Sequence, residues 1–325
     1  MAHDMGRSDM PTADTGRRRL LDSHPLDSHP LDLGRSRVIA IFGPTASGKS
    51  AVAEALADRL GSEVVSADAM QAYRGLPILT NQPERSTRLV GIWPLSHEGS
   101  VGEYQRLAQE AIDELLERAP AAVVAGGTGL YLRAALAELE LPPPPPAGGR
   151  ERWEQRYDAD PDGMYALLAE HDPAAARRLH PNDRRRVVRA LELSETGASL
   201  APDEDRLWSE HTRLPTTIVG LEVAAEELER RIVARTDEMF ARGVVEEVRA
   251  ALAGPLSKTA EKALGLREIA SLSPAEAHAR IVVRTRQYAA YQRKWMRRIP
   301  GLVTVGGTRP VGEIVDAVLE MARAR

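Results

Sequence analysis

The sequence predicts an α/β protein with a parallel-sheet core, a helical insertion domain and C-terminal helices. Three observations predict it. Short apolar runs alternate with helix-forming segments, a glycine-rich loop joins the first run to the first helix, and a run of prolines precedes a long stretch without a strand pattern. We therefore expect a disordered N-terminal extension at 1–36, the first part of the core at 37–141, the insertion at 142–212, and the return to the core with a C-terminal helical layer at 213–325.

The composition excludes several classes of protein. The chain has 325 residues, enough to bury a sizeable core, and it has no Cys, which excludes thiol catalysis, disulfides and cysteine-based metal sites. Its apolar runs are far shorter than the ~20 residues that cross a bilayer, so we expect no membrane association. The net charge is −4, so any nucleic-acid binding must come from local basic clusters. We expect a monomeric, cytoplasmic protein.

The first half of the core alternates strands and helices. Val38–Phe42 is a short apolar run typical of a buried strand, and residues 51–60 are helix-forming up to the next glycine. A second strand is expected at 63–67. A stripe of apolar residues at helical spacing predicts a helix at 102–119, and a third strand follows at 121–125. Strands that alternate with helices in this way favour a parallel sheet.

The second half begins with a break. The prolines at 142–146 can neither continue a helix nor pair in a sheet, so they indicate a domain boundary. Residues 150–212 are rich in helix-forming patterns, and residues 214–223 return to a strand-like composition. The segments 224–252 and 260–298 are again helical. We interpret these segments as an insertion, a further core strand and an outer helical layer.

A phosphate-binding motif follows the first strand and opens the first helix. It matches G-x-x-x-x-G-K-[ST], which predicts a P-loop NTPase-like core. Backbone N–H groups and the helix N-terminus can hold phosphate oxygens, Lys49 adds a positive charge, and Ser50 can bind Mg²⁺. The pattern does not specify the organic group that carries the phosphate. The motif comprises Gly43, Pro44, Thr45, Ala46, Ser47, Gly48, Lys49 and Ser50.

Two further features lie at the ends of predicted strands. Asp68 follows the second strand, and three interpretations remain open for it: a carboxylate that organises Mg²⁺, a general base, or a helix N-cap. No other apolar core strand ends in an acid, which weakens an NTPase interpretation. The third strand runs into a second glycine-rich loop, and two such loops at one sheet edge favour a shared anionic ligand. That second loop is Gly126, Gly127, Thr128 and Gly129.

Two arginine clusters suggest an RNA partner. The second cluster is interleaved with aromatic residues, a combination that suits phosphates held by charge and bases stacked on rings. A solvated helix face explains either cluster equally well when it is taken alone. The first cluster is Arg177, Arg178, Arg184, Arg185, Arg186 and Arg189, and the second is Arg284, Arg286, Arg293, Lys294, Arg297 and Arg298.

The chain resembles the tRNA dimethylallyltransferase family in seven ordered segments. These segments are 43–50, 66–75, 126–131, 180–183 with 186–192, 235–243 with 246–248, 263–265 and 285–295. The resemblance implies transfer of a dimethylallyl group from its diphosphate to the exocyclic amine of the adenosine 3′ of the anticodon, in tRNAs that read codons beginning with U. It also implies a channel that the flipped adenine and the diphosphate enter from opposite ends.

The resemblance also implies roles for individual residues. Asp68 accepts the amine proton, with Thr128 and Arg235 as further catalytic residues. The loop 43–50 holds the diphosphate, and Ser50 binds Mg²⁺. The residues implied in tRNA binding are Asp68, Ala69, Met70, Gln71, Arg184, Arg185, Arg186, Val187, Val188, Arg189, Lys262, Gly265 and Arg267.

The chain departs from the family pattern at four positions outside the predicted reaction centre. Ala69 stands where a Ser is usual, Gln82 where a Lys is usual, Gly91 lies where a His-Asp pattern is expected, and Leu266 replaces a Tyr. Three alternative functions remain open. They are a P-loop small-molecule kinase, an adenylate isopentenyltransferase that acts on free AMP, and a non-catalytic RNA-binding protein.

Overall fold

Parallel strands form the centre of the protein. The computed structural model describes residues 33–141, 148–201 and 206–324, which belong to one compact unit. The strands of this part of the chain are β1 Val38–Phe42, β2 Val64–Ser66, β3 Ala122–Gly126, β4 Thr216–Glu222 and β5 Leu302–Gly306. They form one sheet in the order β2-β3-β1-β4-β5, and every neighbouring pair is parallel. The predicted fold class is confirmed.

Helices surround the sheet and form a separate group in the middle of the chain. The helices of the described residues are α1 Lys49–Leu60, α2 Val101–Leu116, α3 Gly129–Leu136, α4 Gly149–Ala159, α5 Pro161–His171, α6 Pro173–Arg178, α7 Arg184–Ser194, α8 Ala225–Ala241, α9 Val244–Leu252, α10 Leu266–Ser271, α11 Pro274–Met296 and α12 Val311–Arg323. None of these helices combines the length and apolar character that crossing a bilayer requires.

The strand order brings the predicted site residues to one edge of the sheet. β1 and β3 are neighbours, and Phe42 at the end of β1 pairs with Gly126 at the end of β3. Because the strands are parallel, the glycine-rich loops that follow them leave the sheet at the same edge. β2 lies on the other side of β3, with Ser66 paired to Ala125, so Asp68 leaves at that edge as well.

Two elements differ from the sequence-based predictions. The segment predicted to be helical at 224–252 is divided into two helices, because Gly243 has a φ of 89° and separates α8 from α9. The edge strand β5 was not predicted, since we assigned the whole C-terminal part to a helical layer. β5 has only five residues and is partly exposed, with Val303 43% exposed, so its local pattern is weak.

The helices α4–α7 occupy the predicted insertion and pack on each other. Their apolar side chains, including Trp153, Leu168 and Leu191, form a cluster of their own. Aspartate side chains start three of these helices, because Asp160, Asp172 and Asp183 each accept a hydrogen bond from an N–H in the first turn. The prolines at the predicted boundary lie outside the described residues, so the exact domain limits stay predictions.

The first described residues pack on the core. Most of the predicted N-terminal extension lies outside the described part of the chain. Residues 33–36, which we assigned to that extension, are part of the folded core instead. Leu33 is buried, and the buried Ser36 hydroxyl hydrogen-bonds Thr217 Oγ1 at 2.8 Å and donates to the carbonyl of Ala322 at 3.1 Å. The core therefore begins before residue 37.

Candidate active site

The loop after β1 presents backbone donors at the start of α1. Ala46 and Gly48 have φ angles of 63° and 89°, and these left-handed conformations bend the loop around the helix N-terminus. No side chain caps the first turn of α1, so its N–H groups remain available to an anion. The Ser50 hydroxyl lies in the same first turn, at an exposed position. This arrangement suits a phosphate group.

The second glycine-rich loop touches the first. A Cβ atom at Gly126 would lie 2.1 Å from the carbonyl oxygen of Ala67, and one at Gly127 would lie 3.1 Å from the carbonyl oxygen of Gly43. The contact at Gly126 leaves no room for a side chain, and the one at Gly127 is tight, so glycine permits both close approaches. The two glycine-rich loops therefore lie together at one sheet edge, as predicted, and a shared anionic ligand for them stays a prediction.

Thr128 lies at the N-terminus of α3. Its side chain does not cap that helix. The hydroxyl instead accepts a hydrogen bond from the N–H of Ala69 at 3.4 Å and lies 3.5 Å from the Tyr288 hydroxyl. Thr128 therefore connects the loop after β3 with the loop after β2 and with α11, next to Asp68.

Asp68 does not cap a helix. Its Oδ1 accepts a hydrogen bond from the N–H of Met70 at 3.0 Å, and residues 69–71 form a turn. The N-cap interpretation is therefore wrong, because no helix follows. The second carboxylate oxygen makes no hydrogen bond with the described residues, which leaves it free to act on a substrate.

Two cationic side chains lie near Asp68. Burial lowers the pKa of Lys49 to about 8, with Asp68 raising it and Arg235 lowering it. Burial also lowers the pKa of Arg235, and Asp68 opposes that shift. Arg235 donates a hydrogen bond to the Thr45 hydroxyl in the first loop. The site therefore holds two cations and one carboxylate at the same sheet edge, with the cations arranged around the phosphate loop.

Three buried or partly buried tyrosines lie close enough to Asp68 to feel its charge. Burial raises the pKa values of Tyr104, Tyr131 and Tyr288, and the negative charge of Asp68 adds to each shift. These hydroxyls therefore stay neutral and can donate hydrogen bonds. Tyr104 belongs to the apolar stripe of α2, and its hydroxyl donates to the carbonyl of Ser66 at 2.9 Å.

Two residues that lie in the family segments, but were not predicted as site residues, connect distant parts of the chain. Gln292 on α11 accepts from the N–H of Thr45 at 2.8 Å and donates to the carbonyl of Gly127 at 2.9 Å. Glu247 on α9 accepts hydrogen bonds from two backbone N–H groups at 2.7 and 2.8 Å, and so anchors the segment 78–79. Neither role has a local sequence signal, because each partner lies more than 160 residues away.

The predicted tRNA-binding helix α7 separates into exposed and buried side chains. Arg185 and Arg186 are exposed. Val187 and Val188 are 0% and 2% exposed and pack in the cluster of α4–α7, so their side chains cannot reach RNA. The family resemblance implied a tRNA contact for the whole segment 184–189, and the burial of these two side chains corrects that prediction. Arg184 pairs with Asp158 at 2.6 Å and 2.7 Å.

The second predicted tRNA-binding segment lies close to the first. Lys262 and Arg267 are exposed, whereas Gly265 is buried against Leu79. Partial burial and then the charge of Arg185 lower the pKa of Lys262. Two cations from different parts of the chain therefore lie near each other, an arrangement that favours an anionic partner.

The second arginine cluster is partly occupied by ion pairs. Arg284 pairs with Glu268, and Arg286 pairs with Glu229 at 2.7 Å. The guanidinium of Arg298 lies 3.7 Å above the ring of Trp208, which packs on Trp295. The remaining exposed charges of this cluster lie on the last turn of α11 and just beyond it.

Comparison with known proteins identifies the family. A family model described as IPP transferase matches residues 71–299, more than half of the chain, and one described as isopentenyl transferase matches residues 36–89. The chain belongs to the IPP transferase family. The resemblance inferred from the seven sequence segments is confirmed.

Relatives in the IPP transferase family match most of the chain. The tRNA dimethylallyltransferase of Streptomyces coelicolor is 41% identical over 83% of this chain and 90% of its own length. The enzyme of the same name from Salinispora arenicola is 38% identical over 88% of this chain and 87% of its own length.

Two solved structures of the family have the same fold. The tRNA isopentenylpyrophosphate transferase of Bacillus halodurans is 27% identical with a TM-score of 0.64, covering 89% of this chain and 98% of that one. A eukaryotic dimethylallyltransferase acting on tRNA is 27% identical with a TM-score of 0.69, covering 84% of this chain and 74% of that one.

One departure from the IPP transferase pattern has a structural explanation. The amide of Gln82 donates to the carbonyls of Gln71 and Tyr73 at 3.2 and 2.7 Å. A lysine ammonium could also donate hydrogen bonds to these two carbonyls. Gln82 therefore keeps the hydrogen bonds of the loop although it lacks the positive charge. Gln71 in turn accepts from the Ser66 hydroxyl at 2.9 Å and donates to the carbonyl of Asn81 at 2.8 Å. The segment after Asp68 is thereby held by amides.

Proposed function

We propose that this member of the IPP transferase family transfers a dimethylallyl group from dimethylallyl diphosphate to the N6 amine of the adenosine 3′ of the anticodon in tRNAs that read UNN codons. The amine nitrogen forms a bond to C1 of the dimethylallyl group, and the C1–O bond breaks. The leaving diphosphate keeps the electron pair of that bond. The amine loses one proton, and Asp68 accepts it.

The observation that carries this proposal is the position of Asp68 beside two phosphate-binding loops. The loops after β1 and β3 touch at one sheet edge, and the loop after β2 brings a carboxylate with a free oxygen to the same edge. A diphosphate held by the loops would direct its C1 atom towards a nucleophile, and the carboxylate supplies a proton acceptor.

Charge stabilisation of the leaving group falls to several groups. Lys49, Arg235 and the uncapped N–H groups of α1 can bind the oxygens whose negative charge grows as the bond breaks. The exposed Ser50 hydroxyl fits a Mg²⁺ ligand at the first turn of the phosphate loop. When bound there, Mg²⁺ would add positive charge beside the diphosphate.

The enzyme must bind the RNA backbone tightly for the target adenine to reach the site. A stacked base cannot reach Asp68, so the adenosine must be flipped out while the flanking phosphates are held. The exposed cations Arg185, Arg186, Lys262 and Arg267 are the side chains proposed to hold these phosphates.

We further propose that the enzyme works as a monomer in the cytoplasm. Light scattering with and without tRNA tests the oligomeric state.

A transfer assay distinguishes the proposed reaction from the alternatives. Labelled dimethylallyl diphosphate is incubated with an anticodon stem-loop, while parallel reactions contain AMP alone or labelled ATP. We expect label in the RNA, and no label when the target adenosine is replaced by inosine, which lacks the amine. Label on AMP alone would favour the adenylate isopentenyltransferase, and phosphate transfer from ATP would favour a kinase.

A further inference from the structure

The side chain of Gln292 is buried between the two glycine-rich loops. It is 1% exposed. Its Oε1 accepts from the N–H of Thr45 at 2.8 Å, and its Nε2 donates to the carbonyl of Gly127 at 2.9 Å. One side chain therefore contacts both loops, and its amide joins a backbone donor in the first loop to a backbone acceptor in the second.

An amide suits this position better than any other side chain of similar size. A backbone N–H must meet an acceptor, and a carbonyl must meet a donor, so the two ends of the amide are fixed by their partners. A carboxylate has no donor for Gly127, and a thioether has neither function. Loss of the amide would leave buried backbone groups unsatisfied.

One face of helix α11 packs against the second glycine-rich loop. Tyr288, Gln292 and Trp295 lie at the i, i+4 and i+7 positions, which share a helix face. Tyr288 lies beside the Thr128 hydroxyl, and a Cβ at Gly129 would lie 2.2 Å from the ring of Trp295. Three contacts on one helix face therefore position the second loop, and Gln292 also hydrogen-bonds the first loop.

We infer that Gln292 is a positioning residue that holds the two loops in the register at which a single diphosphate binds both. This inference rests on the proposed function, because it assumes a diphosphate substrate. Fixed donors stabilise the charge of a leaving group only when they already lie where that charge develops. Gln292 acts through the loops, because its two hydrogen bonds go to the backbone atoms of Thr45 and Gly127.

Two variants of Gln292 distinguish the effect of its hydrogen bonds from the effect of its side-chain size. Gln292→Met keeps the length and removes both hydrogen bonds. Gln292→Glu keeps the acceptor for Thr45 but has no donor for Gly127 until the carboxyl is protonated. Gln287→Met is the matched control, because Gln287 is exposed on the same helix. Inorganic diphosphate binding is measured by calorimetry, prenyl transfer is measured by steady-state kinetics, and folding is checked by thermal melting.

We expect Gln292→Met to weaken diphosphate binding about tenfold, the effect of losing two hydrogen bonds of typical net strength. We also expect kcat to fall at least tenfold, while the KM for tRNA and the behaviour of Gln287→Met stay unchanged. Diphosphate binding by Gln292→Glu should recover as the pH falls and the carboxyl regains a donor, relative to wild type at each pH.

Several results would overturn the inference. Wild-type diphosphate affinity and kcat in a folded Gln292→Met protein would show that the bridge has no positioning role. If Gln292→Met does not fold, the Gln292→Glu protein provides the test. A folded Gln292→Glu protein whose diphosphate binding does not recover at low pH would also show that the bridge has no positioning role. A wild-type protein that binds diphosphate but transfers no prenyl group would refute the proposed function, whereas the affinity ratio of the variants would still test Gln292.

Discussion

The buried carboxylate of Glu192 forms a two-point ion pair with Arg150, with N–O distances of 3.0 and 3.1 Å. Arg189 also donates to Glu192, at 3.1 Å. Because the Glu192 side chain is 1% exposed, its charge needs these partners for α4 and α7 to pack. The arginine-rich helix therefore contains charges that stabilise the fold beside charges that face solvent, and a count of arginines does not distinguish them.

Substitution of Arg189 should mainly lower stability, whereas substitution of Arg185 should mainly weaken tRNA binding. Arg189→Ala removes one partner of a buried carboxylate, so we expect a loss of about 2 kcal/mol in the free energy of unfolding. Arg185→Ala should leave stability within about 0.5 kcal/mol, weaken tRNA binding and reduce the slope of log K against log salt by about 1. Urea unfolding and a salt series of tRNA binding measure both. An unchanged salt slope for Arg185→Ala would place this residue outside the RNA interface.

Asp68→Asn tests the general base without disturbing its turn. Asn keeps an oxygen that can accept from the N–H of Met70 and removes the proton acceptor. We expect turnover to fall by roughly 10²–10⁴ while diphosphate binding stays close to wild type. Single-turnover kinetics and calorimetry provide the two values. Wild-type turnover in this variant would assign proton removal to another group.

The lowered pKa of Lys49 predicts a pH-dependent affinity for dimethylallyl diphosphate. Lys49 is charged below about pH 8 and loses its charge as the pH rises through that value. Affinity should therefore be high at about pH 7 and decline towards about pH 9. Lys49→Arg keeps its charge throughout this window, so its affinity should stay flat, although weaker. Equal pH profiles for both proteins would mean that another group titrates.

The close contact of the two loops predicts an intolerance of small side chains. A Cβ at Gly127 would lie 2.1 Å from Gln292 Nε2, so Gly127→Ala should displace the buried Gln292 amide from its backbone partners, destabilise the protein by about 1–3 kcal/mol and weaken diphosphate binding. Gly102→Ala in α2 meets no atom within 4 Å and should be neutral or stabilising by about 0.5 kcal/mol. Thermal unfolding of the pair provides the comparison. Equal stability of both variants would show that the Gln292 amide is displaced without a loss of stability.

Local sequence patterns were sufficient for the strands and helices of the first half of the core. The run Val38–Phe42, the glycine-rich loop and the helix after it follow from apolar periodicity and glycine chemistry, which act over a few residues. The position of Asp68 directly after a strand was enough to suggest a functional carboxylate. The edge strand β5 was missed, because its pairing with β4 depends on residues about 80 positions away.

The sequence by itself determined the α/β class, the phosphate loop and the family resemblance, since each depends on residue types at short spacings. Only the tertiary structure decided which long-range groups complete the site. The bridge from Gln292 to Thr45 and Gly127, the anchoring of a loop by Glu247 and the burial of Val187 all arise when distant segments pack together. These contacts depend on strand order and helix packing, which leave no periodic signal in the chain.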